Sequence, residues 1–361
     1  MRGSDIRTAI IGYGLAGAVF HAPLIATTPG MRVSSIVTSN GERQAAARRA
    51  FPDAAILPSS DDLWRRGGEL DLVVVASPNS SHVPLALASI EAGVPVVVDK
   101  PLAPSAADGR RLIEASEARK VPLTVFQNRR WDGDFRTVQA LVQADLLGPL
   151  VRFESRFERY RPVPREGAWR ERPEPEEAGG LLFDLGSHRI DQALIVLGEP
   201  QSVYAELGVR RPGALVDDDT FVSLDFASGV QAHLWMSVVT REPGPRFVVG
   251  GLRGSYTKMG LDPQEPFLRD GGRPGDRGWG IEPPEVWGRI STETGGVHLE
   301  GSVETLPGRY DVFYSQVAET LRAGARVPVD PRDSLRGLEL IEAAKRSAAE
   351  RQAVQVTRSR Q

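Results

Sequence analysis

Apolar and polar positions change rhythm near Gly148, and that change divides the chain. Before it, strand-length runs rich in apolar residues alternate with stretches of helical length. The runs are Ile6 to Ile11, Val33 to Thr38, Leu70 to Ala76, Val94 to Val98 and Pro122 to Phe126. Runs such as LDLVVVA are apolar enough for strands buried on both faces. A helical stretch follows the first run. Glu42 to Ala50, His82 to Ala92 and Ser105 to Arg119 are further helices, and Gly93 stops the second of these. Strands separated by helices of this length predict a doubly wound α/β domain with a parallel sheet.

After Gly148 the period becomes two. Val151, Phe153, Ser155 and Phe157 fall on one face, and Arg152, Glu154, Arg156 and Glu158 on the other. That alternation predicts a half-solvated strand over Val151 to Tyr160. Thr220 to Phe226 and Val230 to Val239 flank Ala227-Ser228-Gly229, which reads as a hairpin. Arg246 to Val249 and Ser255 to Met259 flank another glycine turn. Consecutive strands make this an α+β domain with an antiparallel sheet. Tyr310 to Arg322 and Pro331 to Glu350 are late helices, the second with Asp330 as N-cap and Pro331 in its first turn. Arg161 to Glu177 and Asp262 to Pro284 read as long loops. The expected division is 1–127 for a nucleotide-binding domain and 128–361 for a substrate and oligomerisation domain.

Composition narrows the function. A chain of 361 residues is long enough for two cores. Apolar content of 41% and charged content of 25% are those of a globular protein. A net charge of −3 gives no basic surface for nucleic acid or anionic membrane. The apolar runs are too short to span a bilayer, and the first residues lack a secretory apolar segment. A cytoplasmic location is expected. The chain has no cysteine, which leaves out disulfides, thiolate nucleophiles and iron–sulfur clusters.

Gly12-Tyr13-Gly14-Leu15-Ala16-Gly17 follows the first strand and opens a helix. The first glycine permits a tight turn, the second lets a pyrophosphate approach, and the third lets helix and sheet pack closely. The acid that ordinarily receives the ribose 2′-hydroxyl belongs at the end of the second strand. Here Ser39, Asn40 and Arg43 stand there. Hydroxyl, amide and guanidinium groups suit a 2′-phosphate, which predicts NADP(H). Glu42 keeps NAD(H) open. Ser77, Pro78 and Asn79, with His82 at the following helix start, form a second ligand edge beyond the strand at Leu70 to Ala76. Asp99, Lys100 and Pro101 form a third, which aims Lys100 at the crevice.

The stretch GGLLFDLGSHRID places Asp184, His188 and Asp191 at i, i+4 and i+7, on one face of a helix. Imidazole suits proton exchange near neutral pH, and a nearby carboxylate favours its protonated form. The same face also reads as a polar network tying helix to sheet, or as ligands for zinc or manganese. Arg129, Arg130, Trp131, Tyr160, Arg161, Trp169 and Arg170 suit a hydroxyl-rich ring, and equally a carboxylate or phosphate.

With these residues in view, the chain resembles the Gfo/Idh/MocA family of nicotinamide-dependent oxidoreductases over nearly its whole length. The blocks that carry the resemblance are AIIGYGLAGAVFHAPLI, VVVASPNSSHVPLALASIEAGVPVVVDKP and GGLLFDLGSHRIDQALIVLG. Within the family, QNRRWDGDF, FERYRP, AWRE and DLGSHRIDQ are similar to the NADP-dependent scyllo-inositol dehydrogenase branch. The resemblance implies a Rossmann domain, then a domain with a large open sheet that mediates homodimers or homotetramers. It implies an active site at Lys100, Asp184 and His188, with a floor that includes Asn128, Tyr160, Trp169 and Asp191. No metal is expected, with a metal-dependent enzyme on the Asp184, His188 and Asp191 face as one rival reading. Asp99 stands where the family usually has glutamate. The expected reaction interconverts a secondary alcohol and a ketone on a cyclic polyol or sugar. A phosphorylated sugar, a sugar acid and a non-catalytic NADP-sensing regulator are the rival readings.

Overall fold

The computed structural model describes residues 5–66 and 69–356. By its internal contacts the chain divides into two units. One is Met1–Asn128 with Gln264–Trp279 and Arg309–Leu335; the other is Arg129–Pro263 with Gly280–Gly308 and Arg336–Gln361.

The first unit is built on six parallel strands: β1 (Ile6–Ile11), β2 (Met31–Val37), β3 (Ala55–Leu57), β4 (Leu72–Val75), β5 (Val96–Asp99) and β6 (Leu123–Phe126). Their order is β3-β2-β1-β4-β5-β6. Val74, Val97 and Val125 are fully buried, as the apolar runs predict. Helices α1 (Ala22–Thr27), α2 (Gly41–Ala50), α3 (Ser60–Trp64), α4 (His82–Glu91) and α5 (Ala106–Arg119) connect the strands. Ser105 caps α5 by accepting from the Asp108 amide at 3.1 Å. The strand order reverses at β1, whose neighbours are β2 and β4. A crevice therefore opens beyond the carboxyl ends of β1 and β4, which is where such sheets bind ligands.

The second unit carries a nine-stranded sheet, ordered β14-β13-β12-β11-β7-β10-β9-β8-β15. Its strands are β7 (Leu150–Glu158), β8 (Pro200–Gly208), β9 (Asp219–Phe226), β10 (Gln231–Ser237), β11 (Phe247–Gly251), β12 (Gly254–Lys258), β13 (Gly288–Thr294), β14 (Val297–Val303) and β15 (Val354–Gln355). Neighbours are antiparallel except β7 and β10, which run parallel. The hairpin at Ala227-Ser228-Gly229 forms, with Gly229 at φ +83°. Helices α6 (Gly133–Gln143) and α7 (Ser187–Leu197) pack together, and α7 lies on β7 and β10. Phe135, Phe153, Leu234 and Phe247 are fully buried between the layers.

Two stretches of the second half pack in the first unit, so a cut after residue 127 does not by itself describe the packing. Helix α8 (Gln264–Arg269) lies inside the stretch expected to be a loop, and α9 (Asp311–Ala323) belongs with it. Phe313 and Tyr314 on α9 are fully buried, and Phe313 meets Phe126 edge to face at 4.9 Å. The last helix, α10 (Pro331–Glu350), starts as expected, with the Asp330 carboxylate accepting from the Arg332 amide at 2.9 Å. Among the described residues no helix is long and apolar enough to cross a membrane.

Two buried groups make the packing testable. His21 is fully buried, with Nδ1 2.6 Å from the Tyr314 hydroxyl and its ring 4.4 Å from that of Phe126. Burial lowers its pKa from 6.5 to about 4, against the opposing pull of Asp99. The unfolded chain therefore takes up this proton at higher pH than the folded one. The stability contribution is complete above pH 6.5 and is lost as pH falls toward 4, a loss of roughly 3 kcal/mol. Urea unfolding across that window should show the loss in the wild type, and His21→Gln should reduce it by the His21 share, leaving that of buried His82.

Arg189 on α7 is also fully enclosed, and none of its three guanidinium nitrogens has a hydrogen-bond partner among the described residues. Its neighbour Arg246 takes the available acceptors: Asp134 at 3.1 Å, Ser155 Oγ at 2.6 Å and Gln192 Oε1 at 3.1 Å. Burial, and then the charges of Arg246 and Arg129, push the Arg189 pKa well down. A buried cation without hydrogen bonds costs more than it returns. Arg189→Met should therefore raise stability, by about 1–3 kcal/mol, measured as a higher urea midpoint. A lower midpoint would show that Arg189 is held by favourable interactions.

Candidate active site

The glycine motif sits where β1 ends, and each glycine has its own constraint. Gly12 has φ +100°, and a Cβ there would lie 2.5 Å from the Ala76 carbonyl oxygen. At Gly17 a Cβ would lie 2.0 Å from the Gly12 carbonyl oxygen. At Gly14 it would meet nothing nearer than Arg43 Nη1, at 3.7 Å. Two glycines thus answer to protein backbone, and the middle one to open space under a guanidinium. Between them, Tyr13 is turned inward and Leu15 stands 41% exposed. Ala16 begins a π-helical turn, Ala16–His21, that runs into α1. These residues fit a pyrophosphate laid across backbone N–H groups at a helix start.

Beyond β2, Ser39, Asn40 and Arg43 are exposed. Asn40 is spent on the cap of α2, accepting from the Arg43 amide at 2.9 Å. The Arg43 guanidinium has no hydrogen-bonding or ion-pair partner among the described residues. A cation left uncommitted beside the glycine turn fits an anionic group on a bound adenosine.

Beyond β4, Ser77 and Pro78 form a turn stiffened by Ser77 Oγ and Ser81 Oγ at 2.6 Å and by Ser81 Oγ donating to the Pro78 carbonyl at 2.7 Å. Asn79 is buried in it. Beyond β5, Lys100 is half-buried and precedes a cis bond to Pro101. Asp99 turns its carboxylate onto the Lys100 amide at 2.8 Å, so one oxygen of this expected cofactor ligand serves the protein's own turn. His82, also expected at the cofactor, is 1% exposed, and its two ring nitrogens face the Pro101 and Ser77 carbonyls. It braces the ligand loops instead of presenting itself to a ligand. Asn128, which opens a 3₁₀ turn after β6, is buried.

In the second unit, the segment with Asp184 and His188 does not keep one helical spacing. Leu182–Gly186 is a π-helical turn, and the α-helix proper begins at Ser187. Such widened turns recur at functional sites. The turn is entered through Gly180, at φ +93°, and capped from afar by Asp217. The Asp217 carboxylate accepts from the Leu182 amide and from Thr220 Oγ1, each at 2.7 Å. The run Asp217-Asp218-Asp219 marks this support in the sequence. Its second member accepts from the Arg210 and Arg211 amides at 2.7 and 3.0 Å, so the run is a structural hub.

The three polar residues of the helix have different surroundings. His188 is 4% exposed. Asp184 accepts from Arg170 Nε at 3.1 Å, and that guanidinium lies 4.1 Å from the Trp169 ring. Asp191 takes Arg130 on both oxygens, at 2.9 and 2.5 Å. Arg129 pairs with Asp132 at 3.4 Å. Two carboxylates held by arginines are arranged as ion pairs, and among the described residues no group of three His, Asp or Glu side chains could hold a metal ion. Tyr160 is exposed and accepts from Arg241 Nη2 at 3.0 Å.

A dinucleotide-binding unit with a half-buried lysine beyond β5, in one chain with a unit bearing a buried histidine, fits a nicotinamide-dependent oxidoreductase that acts on CH–OH groups. Residues 6–127 match the model for the oxidoreductase family's NAD-binding Rossmann fold, and residues 139–356 match its C-terminal alpha/beta domain. The chain belongs to the Gfo/Idh/MocA oxidoreductase family. It is 35% identical to the scyllo-inositol 2-dehydrogenase (NADP(+)) IolW of Bacillus subtilis, over 97% of this chain and 95% of that protein. The D-apiose dehydrogenase of Paraburkholderia graminis is 26% identical, over 91% of this chain and 84% of its own. The solved structure of YvaA from Bacillus subtilis superposes with a TM-score of 0.92 at 34% identity, covering 98% of this chain and 99% of that one.

Proposed function

We propose that the protein is an NADP(H)-dependent dehydrogenase that interconverts a secondary alcohol and a ketone on an uncharged cyclic polyol or sugar. Scyllo-inositol is the favoured example. The observation that carries the substrate class is charge pairing. Arg129, Arg130 and Arg170 were candidates for gripping a phosphate or carboxylate, and each is already paired with Asp132, Asp191 or Asp184. A paired guanidinium has little net charge to offer an anionic substrate but still has N–H groups for hydroxyls. The rival reading of a phosphorylated sugar or sugar acid loses three of its four arginines there and keeps the exposed Arg161.

When bound, the nicotinamide exchanges the hydride. The protein handles the proton. In the oxidative direction His188 accepts it from the substrate hydroxyl, and the Asp184 carboxylate favours the imidazolium that results. Lys100 Nζ donates to the same substrate oxygen and stabilises its developing negative charge. Retention of all three groups weighs against a non-catalytic NADP sensor. Trp169 and Arg170 offer a flat ring and spare N–H groups to the polyol, and Asn128 and Tyr160 offer further polar contacts.

Coenzyme preference follows from Arg43, with Ser39 beside it. A turnover screen of NADP⁺ and NAD⁺ against inositols, aldoses, ketoses and their phosphates tests the reading. The expected outcome is oxidation of at least one neutral polyol, with NADP⁺ preferred. Arg43→Ala should cut that preference about tenfold, the worth of one charge-assisted hydrogen bond. Activity confined to phosphorylated substrates would overturn the substrate class.

A cytoplasmic location for the enzyme is proposed with the NADP(H) reading. Its second-unit sheet is proposed to form a homodimer or homotetramer. Phe221 and Trp235 face each other across β9 and β10 with ring centroids 5.2 Å apart, half-buried, and Arg156 stacks 4.0 Å over the Trp235 ring. Such an aromatic and guanidinium surface suits a protein interface.

A further inference from the structure

We propose that His82 is a positioning residue: it ties the turn after β4 to the turn after β5 and so aims Lys100. The inference rests on the reading of Lys100 as the lysine that contacts the reacting oxygen.

His82 opens α4 but does not serve that helix. Its Nδ1 lies 2.9 Å from the carbonyl oxygen of Pro101, and its Nε2 lies 3.0 Å from that of Ser77. Pro101 directly follows Lys100, and Ser77 lies just beyond β4. One flat, rigid ring therefore fixes the separation of the two main chains that form adjacent edges of the ligand crevice. The ring is enclosed, at 1% exposure. Burial lowers its pKa, with Asp99 pulling the other way and Lys100 acting with burial.

The Ser77 side is a sound anchor, because Ser77 and Ser81 bond to each other and Ser81 to the Pro78 carbonyl. The Lys100 side is the part that needs aiming. Its amide is held by the Asp99 carboxylate at 2.8 Å, and the next carbonyl is held by His82. The main chain of Lys100 is thus pinned on both sides, and its ammonium stands at the end of a four-carbon stem. A catalytic group on such a stem is only as well placed as its Cα, and a displacement of about 1 Å costs on the order of 10²-fold in rate.

The test uses the full-length enzyme with NADP⁺ and scyllo-inositol. His82→Phe keeps a flat ring and removes both contacts. His82→Asn keeps a donor at the position of Nδ1, toward Pro101, and His82→Gln reaches instead toward Ser77. His82→Phe should lower turnover at saturating substrate by about 10–100-fold, with the NADPH dissociation constant within about threefold of wild type. Asn should recover more of the turnover than Gln, since the Pro101 contact is the one that holds Lys100; this ranking holds even where Phe folds poorly. Combined with Lys100→Met, His82→Phe should add no more than about a twofold further loss, because both act through one group. Losses that multiply in the double variant overturn the inference, as does wild-type turnover in His82→Phe beside an inactive Lys100→Met. Full turnover in Lys100→Met, or none in the wild type, instead overturns the reading of the reaction on which the inference rests.

Discussion

Lys100→Met is expected to lower turnover by about 10²–10³-fold, while NADPH binds within about threefold of the wild-type affinity. On the proposed reading, removing the ammonium removes the donor that would stabilise charge on the substrate oxygen. The coenzyme would be held elsewhere, by the turn at Gly12, Gly14 and Gly17 and by the cation at Arg43. His188→Ala should fall by a similar factor, in the range of about 10²–10⁴ that a lost general base costs. The pair differs in one readout. Without His188, activity at high pH should partly return, because hydroxide can take the proton that imidazole no longer accepts. Without Lys100 it should not, since a lost positive charge is not replaced by base. Steady-state kinetics from pH 6 to pH 10, alongside titration of NADPH fluorescence, separates the two roles. Near-normal turnover in both variants would remove these residues from the chemistry.

Most of the first unit was legible because burial on both faces forces a visible pattern. LVVV, VVVD and LTVF are apolar at all but Asp99 and Thr124, as strands of a parallel sheet covered on each side must nearly be. The glycine motif was legible for a different reason: Gly12 and Gly17 are dictated by backbone within a few ångströms. Strands β13 and β14 were not legible. Val297 and Leu299 on β14 are 56% and 48% exposed, so burial wrote no alternation into that edge hairpin. The return of α9 to the first unit was invisible too, since the bond from Tyr314 to His21 spans 293 residues and no local period records it.

The functional segment at Gly179 to Asp191 was half legible. Helical spacing found Asp184, His188 and Asp191, but that spacing assumes 3.6 residues per turn. The widened turn over Leu182–Gly186 breaks the assumption, and ion pairs with Arg170 and Arg130 then give the two aspartates separate tasks. Pairing of this kind depends on residues 14 and 61 positions away. Composition shows the arginines, but only the fold shows that they are already engaged. The same pairing is what the proposal of a neutral substrate rests on.

Gly14→Ala and Gly17→Ala should fail in opposite ways. A methyl at Gly17 would sit 2.0 Å from the Gly12 carbonyl oxygen, inside any real carbon–oxygen contact. Helix or turn must move, and neither is the loose end of a side chain. The coenzyme-free protein should lose about 1–3 kcal/mol or more, the range for overpacking a tight site. A methyl at Gly14 would meet only the tip of Arg43, at 3.7 Å, and φ there is not in the left-handed region. Coenzyme-free stability should hold or rise slightly, by about 0.4–1 kcal/mol, as when glycine gives way to alanine in permitted backbone. That same methyl would fill the space a pyrophosphate needs against the main chain. NADPH affinity in Gly14→Ala should therefore drop by about 100-fold or more, equivalent to about 3 kcal/mol. Thermal melting without coenzyme and fluorescence titration with NADPH read the two effects separately. Wild-type affinity in Gly14→Ala would mean that the glycine turn does not receive the pyrophosphate, and the cofactor assignment would fall with it.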